Sequence, residues 1–343
     1  MDSILFSIDN RIDFADSIIS QYTHYHQRAN LAPNPNYKPI QLGSVDKAKF
    51  SDGELCVDFK ETVRGKRVYL LSSPNTSDEI IKLTLAIDAA KRAAASEVIV
   101  ILPYYPYARQ DKKDQDRGPI GAKVMAKILE SCGATAIITY ELHADQIQGF
   151  FEIPVTHIEG KTVFAEDISK IANESTVLCA PDAGSGKRLK RMKEQIYNFY
   201  GIDLPIVMMD KTRKRANEIN TMVIIGDVTG KDVIIVDDLI DTAGTLCKAV
   251  DVLLDNGAKS VRAYISHPVL SGKAYENIAN SNLTSLVVSN SLAIKTREEI
   301  GPENEKAADI IRVVSATRSI IVAMYAINLG YSYESLKNYR NNG

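Results

Sequence analysis

Only four cysteines, Cys56, Cys132, Cys179 and Cys247, are spread over 343 residues, and no two form a CxxC pair. Neither a zinc site nor a disulfide framework is therefore expected, and a reducing compartment is. No apolar run approaches the roughly 18 residues that cross a membrane. The first 21 residues are interrupted by Asp2, Asp9, Asp13 and Asp16, unlike an Arg-rich, acid-poor transit peptide, so the expected location is cytoplasmic. Charge of one sign is missing too. Against 43 Asp plus Glu stand 41 Lys plus Arg, a net charge of −2. That gives no global attraction to nucleic acid or anionic lipid, so any phosphate must be held by local clusters. No GxGxxG, GxSxG or HExxH occurs. Gly186-Lys-Arg lacks the Ser/Thr that a Walker A loop needs after its Lys, and Gly160-Lys-Thr lacks the leading Gly.

What is present is a regular alternation. Val68-Tyr-Leu-Leu-Ser, Val98-Ile-Val-Ile-Leu, Ala136-Ile-Ile-Thr-Tyr, Val177-Leu-Cys-Ala, Ile206-Val-Met-Met, Val233-Ile-Ile-Val, Val261-Arg-Ala-Tyr-Ile and Leu286-Val-Val read as buried, parallel-type strands. Helical patterns over 78–95, 120–131 and 245–256 lie between them, so the class is α/β. The strand–helix–strand spacing from Val68 to Val98 is 30 residues, and from Val233 to Val261 it is 28. This predicts two related domains in tandem, over 1–160 and 161–343, each a mainly parallel sheet flanked by helices. The extreme C-terminus is the part free to pack back on the first domain. Tyr22 to Pro39 has no periodicity and reads as a surface excursion, and Asn338 to Gly343 should fray.

The chemistry is concentrated at Val233-Ile-Ile-Val-Asp-Asp-Leu-Ile-Asp-Thr-Ala-Gly-Thr. A buried strand ends on two adjacent carboxylates, Asp237 and Asp238, which repel and lose solvation unless a metal or sugar hydroxyls meet them. The next helix carries Leu246, Ala249, Val250, Leu253 and Leu254 on one face and stops at Gly257. Its amino end, Asp241 to Thr245, offers free N–H groups, two hydroxyls and Gly244 as an anion cradle. The plainer reading is an acidic turn with a Thr cap. Carboxylates beside a cradle suit a sugar phosphate better.

This segment resembles the phosphoribosyl pyrophosphate (PRPP) loop of the phosphoribosyltransferase superfamily. Pro106-Tyr-Ala-Arg-Gln-Asp-Lys-Lys-Asp, Glu141-Leu-His-Ala-Asp-Gln-Ile-Gln-Gly-Phe-Phe, Pro181-Asp-Ala-Gly-Ser-Gly-Lys-Arg and Lys211-Thr-Arg-Lys-Arg-Ala-Asn-Glu together resemble the ribose-phosphate pyrophosphokinases, from about Phe50 to Leu336. The resemblance implies two phosphoribosyltransferase-like domains, the first contacting ATP and forming the oligomer, the second carrying the ribose 5-phosphate loop. It implies transfer of the diphosphoryl group of ATP to the 1-hydroxyl of ribose 5-phosphate, giving PRPP and AMP, with Mg²⁺ and a homo-oligomer, a hexamer built from dimers.

By the same resemblance Lys211 and Arg213 are catalytic cations, and Phe50, Asp52, Glu54, Arg109, Gln110 and Asp114 bind ATP. His143 and Asp182 are associated with the metal, and Asp237, Asp238, Asp241, Thr242, Ala243, Gly244 and Thr245 bind ribose 5-phosphate. Without it, Phe50 would read as a core aromatic, and Lys112, Lys113, Lys214 and Arg215 as solvated charge. Two departures stand out. Glu141 replaces the usual Asp. Asp145, near the positions matching Arg64 and Gln148, would repel a regulatory phosphate, which speaks against phosphate activation and ADP inhibition. The rivals are a PRPP-consuming transferase, a catalytically silent regulatory subunit, and a nucleic-acid binder that net charge −2 disfavours.

Overall fold

Each apolar run expected to be a strand is one, and each pairs in parallel with a neighbour. The computed structural model describes residues 1–9, 11–28, 38–212 and 221–337. Two compact units emerge: Met1–Glu159 together with the segment from Ala316 onward, and Gly160–Ser315.

The first unit runs β1 (Ser3–Ser7), α1 (Ile12–Arg28), β2 (Ile40–Leu42), β3 (Val45–Lys49), β4 (Leu55–Phe59), β5 (Arg67–Leu71), α2 (Ser77–Arg92), β6 (Glu97–Leu102), α3 (Gly121–Cys132), β7 (Ala136–Tyr140) and β8 (Val155–Ile158). Its sheet has the order β2-β1-β5-β6-β7-β8, parallel throughout. A separate antiparallel hairpin pairs β3 with β4. Val68 and Leu70 of β5 and Val98, Val100 and Leu102 of β6 share one core with Leu83, Ala86, Ile87 and Ala90 of α2. Those α2 positions follow the 3-, 1-, 3-residue spacing of a single helical face. Thr76 caps α2, its hydroxyl accepting from Glu79 N while the Glu79 carboxylate accepts from Thr76 N, a reciprocal capping box.

The second unit runs α4 (Lys161–Ile171), β9 (Thr176–Ala180), α5 (Gly186–Tyr200), β10 (Ile206–Thr212), β11 (Thr221–Ile225), β12 (Asp232–Ile240), α6 (Gly244–Asp255), β13 (Ser260–Pro268), α7 (Ala274–Ala279), β14 (Ser285–Ser289), α8 (Arg297–Ile300), α9 (Glu305–Ile310) and β15 (Ile311–Val314). The sheet order is β11-β10-β9-β12-β13-β14-β15, parallel except for the β10–β11 pair. The chain leaves β9 through α5 toward β10 on one side and leaves β12 through α6 toward β13 on the other. The crevice beyond the carboxyl ends of β9 and β12 is thus the switch point where open α/β sheets bind ligands. Two further helices, α10 (Thr317–Leu329) and α11 (Tyr333–Lys337), complete the first unit.

The segment from Ala316 groups with the first unit, the packing left open for the extreme C-terminus. Two expectations need correction. Tyr22 to Pro39 is not a surface excursion over its first residues. Tyr22 to Arg28 continue α1, and Tyr22 and Tyr25 are buried against Tyr325 of α10, at centroid separations of 5.8 and 5.4 Å. Residues 29–37 and the tail Asn338 to Gly343 lie outside the described residues. Second, the strand at Val233 does not stop before the acidic doublet but runs through it to Ile240, because β13 extends to Pro268 and keeps it paired.

Candidate active site

Within β12, Asp237 continues the face of Val233 and Ile235, and Asp238 that of Ile234 and Val236, as alternation along a strand requires. Both meet one cation at the strand's open end. Arg188, in the first turn of α5, places Nη1 3.4 Å from Asp237 Oδ1 and 3.3 Å from Asp238 Oδ1. The turn leaving β9 adds Asp182 and Ser185. Ser185 N donates to Asp182 Oδ1 at 2.9 Å, and Ser185 Oγ lies 3.0 Å from Asp182 Oδ1 and 2.9 Å from Asp237 Oδ1. One hydroxyl carries one proton, so Ser185 bridges the two carboxylates but donates to only one of them at a time. The Asp238 backbone N–H also donates to Asp237 Oδ1, at 2.9 Å.

Asp182, Asp237 and Asp238 crowd this corner of the site. Burial, and then the neighbouring Asp238, hold the Asp237 carboxyl well above the ordinary carboxylate range, and Arg188 offsets only part of this. Among the described residues, the hydrogen bonds of Asp182 and Asp237 fall on Oδ1, leaving Oδ2 of each for a ligand. Hard, negatively charged oxygen donors suit a divalent cation of the Mg²⁺ type.

Beyond Ile240 the chain turns through Asp241, Thr242 and Ala243 into α6. Ala243 adopts φ +64°, a left-handed conformation that costs a non-glycine residue energy and aims the following N–H groups out of the turn. Ala243, at the N-cap, offers no side-chain acceptor to the first N–H groups of α6. A Cβ on Gly244 would meet only Thr242 Oγ1, at 3.9 Å, so the protein's own packing does not demand glycine there. The turn is buttressed from behind. Asn277 Nδ2 donates to Thr242 O at 2.8 Å, Ser271 N donates to Asp241 O at 3.1 Å, and the Ser271 hydroxyl donates to the Asp241 carboxylate.

The remaining expected residues fall into separate groups. Lys211 has its backbone paired with Met222 near the end of β10, so it stands at the foot of the β10–β11 excursion, and Arg213 lies outside the described residues. Phe50, Asp52 and Glu54 form the tip of the β3–β4 hairpin. Phe50 is 57% exposed, which overturns any reading of it as a core aromatic. The tip is a closed turn, with Phe50 N donating to Glu54 O and Glu54 N to Asp52 Oδ1. The hairpin's base is fixed by Lys47 Nζ, 3.3 and 3.2 Å from the carbonyls of Ser7 and Asp9, and by the Phe59 ring 4.4 Å from Phe6.

Arg109, Gln110 and Asp114 are exposed on the loop between β6 and α3. Gln110 has a packing task there. Its carbonyl accepts from Ala122 N, and its side chain fills the space that a Cβ on Gly121 would need. Gln146 Nε2 donates to Asp111 Oδ2 at 3.1 Å, joining that loop to the segment after His143. His143 is exposed just past β7 in the first unit, whereas Asp182 belongs to the second. Among the described residues no three His, Cys, Asp or Glu side chains gather as a metal cage. Ser185 and Arg188 were not singled out from the sequence, although both lie in the Pro181-Asp-Ala-Gly-Ser-Gly-Lys-Arg motif. A polar residue three or six positions beyond a strand-end Asp was the available signal.

Residues 3–133 match the profile of the N-terminal domain of ribose phosphate pyrophosphokinase, and residues 204–326 match a phosphoribosyl synthetase-associated domain. A ribose-phosphate pyrophosphokinase of Bacillus caldolyticus is 39% identical over 299 residues, 84% of this chain and 91% of the relative. The chain belongs to the ribose-phosphate pyrophosphokinase family. A second member, from Wolinella succinogenes, is 45% identical over 261 residues, 76% of this chain and 82% of its own. The crystal structure of phosphoribosylpyrophosphate synthetase from Mycobacterium smegmatis superposes with a TM-score of 0.81 at 31% identity, covering 95% of this chain and 99% of the other. As in that family, two phosphoribosyltransferase-like sheets flanked by helices make up the chain. Among the described residues no helix is long and apolar enough to cross a membrane.

Proposed function

We propose that this chain transfers the β,γ-diphosphoryl group of ATP to the 1-hydroxyl of ribose 5-phosphate, yielding PRPP and AMP for nucleotide biosynthesis. The observation that carries the reading is the crevice beyond β9 and β12, where buried carboxylates stand next to an uncapped helix start. Asp237 and Asp238 accept the ribose 2- and 3-hydroxyls, and the N–H groups and hydroxyls of Asp241 to Thr245 hold the 5-phosphate. The relatives are named as kinases that form a pyrophosphate, which favours this over a PRPP-consuming transferase or a silent subunit.

Diphosphoryl transfer builds charge on phosphate oxygens and needs fixed cations rather than a protein nucleophile. Lys211 and Arg213 supply them, closing on the transferring group. Arg109 grips ATP phosphates in a bidentate fork, helped by Gln110 and Asp114, while the exposed tip of Phe50, Asp52 and Glu54 reaches the adenine of ATP on a neighbouring subunit. The protein acts as a cytoplasmic homo-oligomer, a hexamer built from dimers. Mg²⁺ neutralises phosphate charge when bound. Such an ion is ordinarily held through one or two carboxylates plus substrate phosphates, a role for Asp182, while His143 is associated with the metal through the family resemblance. Incubating the pure protein with ribose 5-phosphate, ATP and Mg²⁺ tests the reading: AMP and PRPP in equal amounts are expected. ADP would identify an ordinary kinase, and no product a silent subunit.

A further inference from the structure

The edge strand β8 carries a histidine that the proposed chemistry does not use. Thr139 of β7 pairs with His157 of β8, and Tyr140 with Ile158. One residue later the chain breaks from the sheet. Glu141 is buried at φ +39°, and its N–H makes the last ladder bond, to Ile158 O at 2.7 Å. The next N–H, that of Leu142, has left the ladder and is taken up by the imidazole, donating to His157 Nε2 at 3.0 Å. At the other side of the ring, Gln148 Nε2 lies 3.3 Å from Nδ1 and donates to Asp145 O at 3.0 Å. His157 therefore touches both ends of the turn from Leu142 to Gln148, which carries His143 and, through Gln146, contacts Asp111 of the Arg109 loop.

The chemistry of the ring follows from the backbone. A peptide N–H can only donate, so Nε2 must present its lone pair, and a neutral His157 carries its proton on Nδ1. In this tautomer the Gln148 amide must turn Oε1, not Nε2, toward the Nδ1 proton. We propose that His157 is a positioning residue: its Nε2 lone pair substitutes for the missing sheet partner of Leu142 and so sets the direction in which the next residue, His143, leaves the sheet. This rests on the functional reading above, in which His143 is associated with the metal. Glutamine can place an amide oxygen near the Nε2 position. Phenylalanine keeps the ring shape but accepts nothing.

The test uses the full chain. In wild-type protein labelled with ¹⁵N-histidine, His157 is expected to show a neutral ring protonated on Nδ1, and the Leu142 amide to be protected from hydrogen exchange. His157→Gln should keep that protection and the wild-type kcat. His157→Phe should lose the protection and lower kcat by about tenfold or more, the scale for residues that orient metal-site groups, with KM for ribose 5-phosphate changed by less than about twofold. An Nε2-protonated ring, wild-type kcat in His157→Phe, or equal impairment of both variants would overturn the assignment. Should wild-type protein form no PRPP at all, the functional reading fails while the tautomer and exchange measurements still decide the contact.

Discussion

Ser185 Oγ stands 2.9 Å from Asp237 Oδ1, tying the turn after β9 to the acidic doublet of β12 across the switch point of the second sheet. Asp182 lies on the other side of the same hydroxyl, and Asp238 meets Arg188 beside it. Burial and the neighbouring Asp238 raise the pKa of the Asp237 carboxyl. That shift gives the first prediction.

Asp237→Asn should abolish PRPP formation yet stabilise the protein. A carboxyl whose folded pKa is raised contributes stability that is fully present below its unfolded value and is lost as pH rises through the folded one. At neutral pH the ionised group is therefore a cost, and neutral Asn removes it. A melting temperature higher by about 2–4 °C, equivalent to roughly 1 kcal/mol in a domain of this size, is expected at pH 8, with a smaller gain at pH 5. Melting curves at both pH values check this, and a lower melting temperature at pH 8 would contradict it.

Lys211→Ala and Arg213→Ala should each lower kcat by about 10²- to 10³-fold, the loss of one transition-state cation, or about 3 kcal/mol. Substrate affinity should change far less. Rapid-quench measurement of AMP release at saturating substrates separates the two, and wild-type turnover in either variant would remove it from the reaction.

Phe50→Ala should raise KM for ATP several-fold and leave KM for ribose 5-phosphate unchanged. Because the ring is 57% exposed and packs on nothing in its own unit's core, its loss should shift folding stability by no more than about 0.5 kcal/mol. Denaturant titration and steady-state kinetics on the same preparation would expose a structural role if stability fell instead.

Gly244→Ala makes the converse separation. The added methyl meets only Thr242 Oγ1 at 3.9 Å, so the fold should accept it. Calorimetry with ribose 5-phosphate and Mg²⁺ should show affinity reduced by about tenfold or more, the 1.4 kcal/mol of one compromised phosphate contact. Undiminished binding would place the 5-phosphate elsewhere.

The strands at Val98, Ala136 and Val261 were legible because fully buried parallel strands are continuous apolar runs. The turn from the doublet into α6 was legible because every part of it lies within a few residues of Asp237. The full length of β12 was not, since Asp is unfavourable in strands and only pairing with β13 at Asp237 and again at Leu239 and Ile240 carries the strand past the doublet. Nor was the end of α1. Tyr22, Thr23, His24, Tyr25 and His26 are indifferent helix formers, and their helix is held by Tyr325, whose hydroxyl lies 2.8 Å from His26 Nδ1 across 299 residues of sequence. Asp145 and Glu141, read only as departures from a family pattern, fall in a turn whose anchor, His157, no local pattern could indicate.

By itself, the order of residues determined the α/β class, the repeated strand–helix–strand spacing and the acidic doublet set just before a helix start. All three depend on period, propensity and short-range spacing, which are local. Tertiary structure alone decided that Ser185 and Arg188 face Asp237, that Phe50 stands clear at a hairpin tip, and that the segment from Ala316 joins the first unit. Those outcomes depend on which surfaces meet after the chain has crossed from strand to strand, and long-range contact of that kind leaves no periodic trace along the chain.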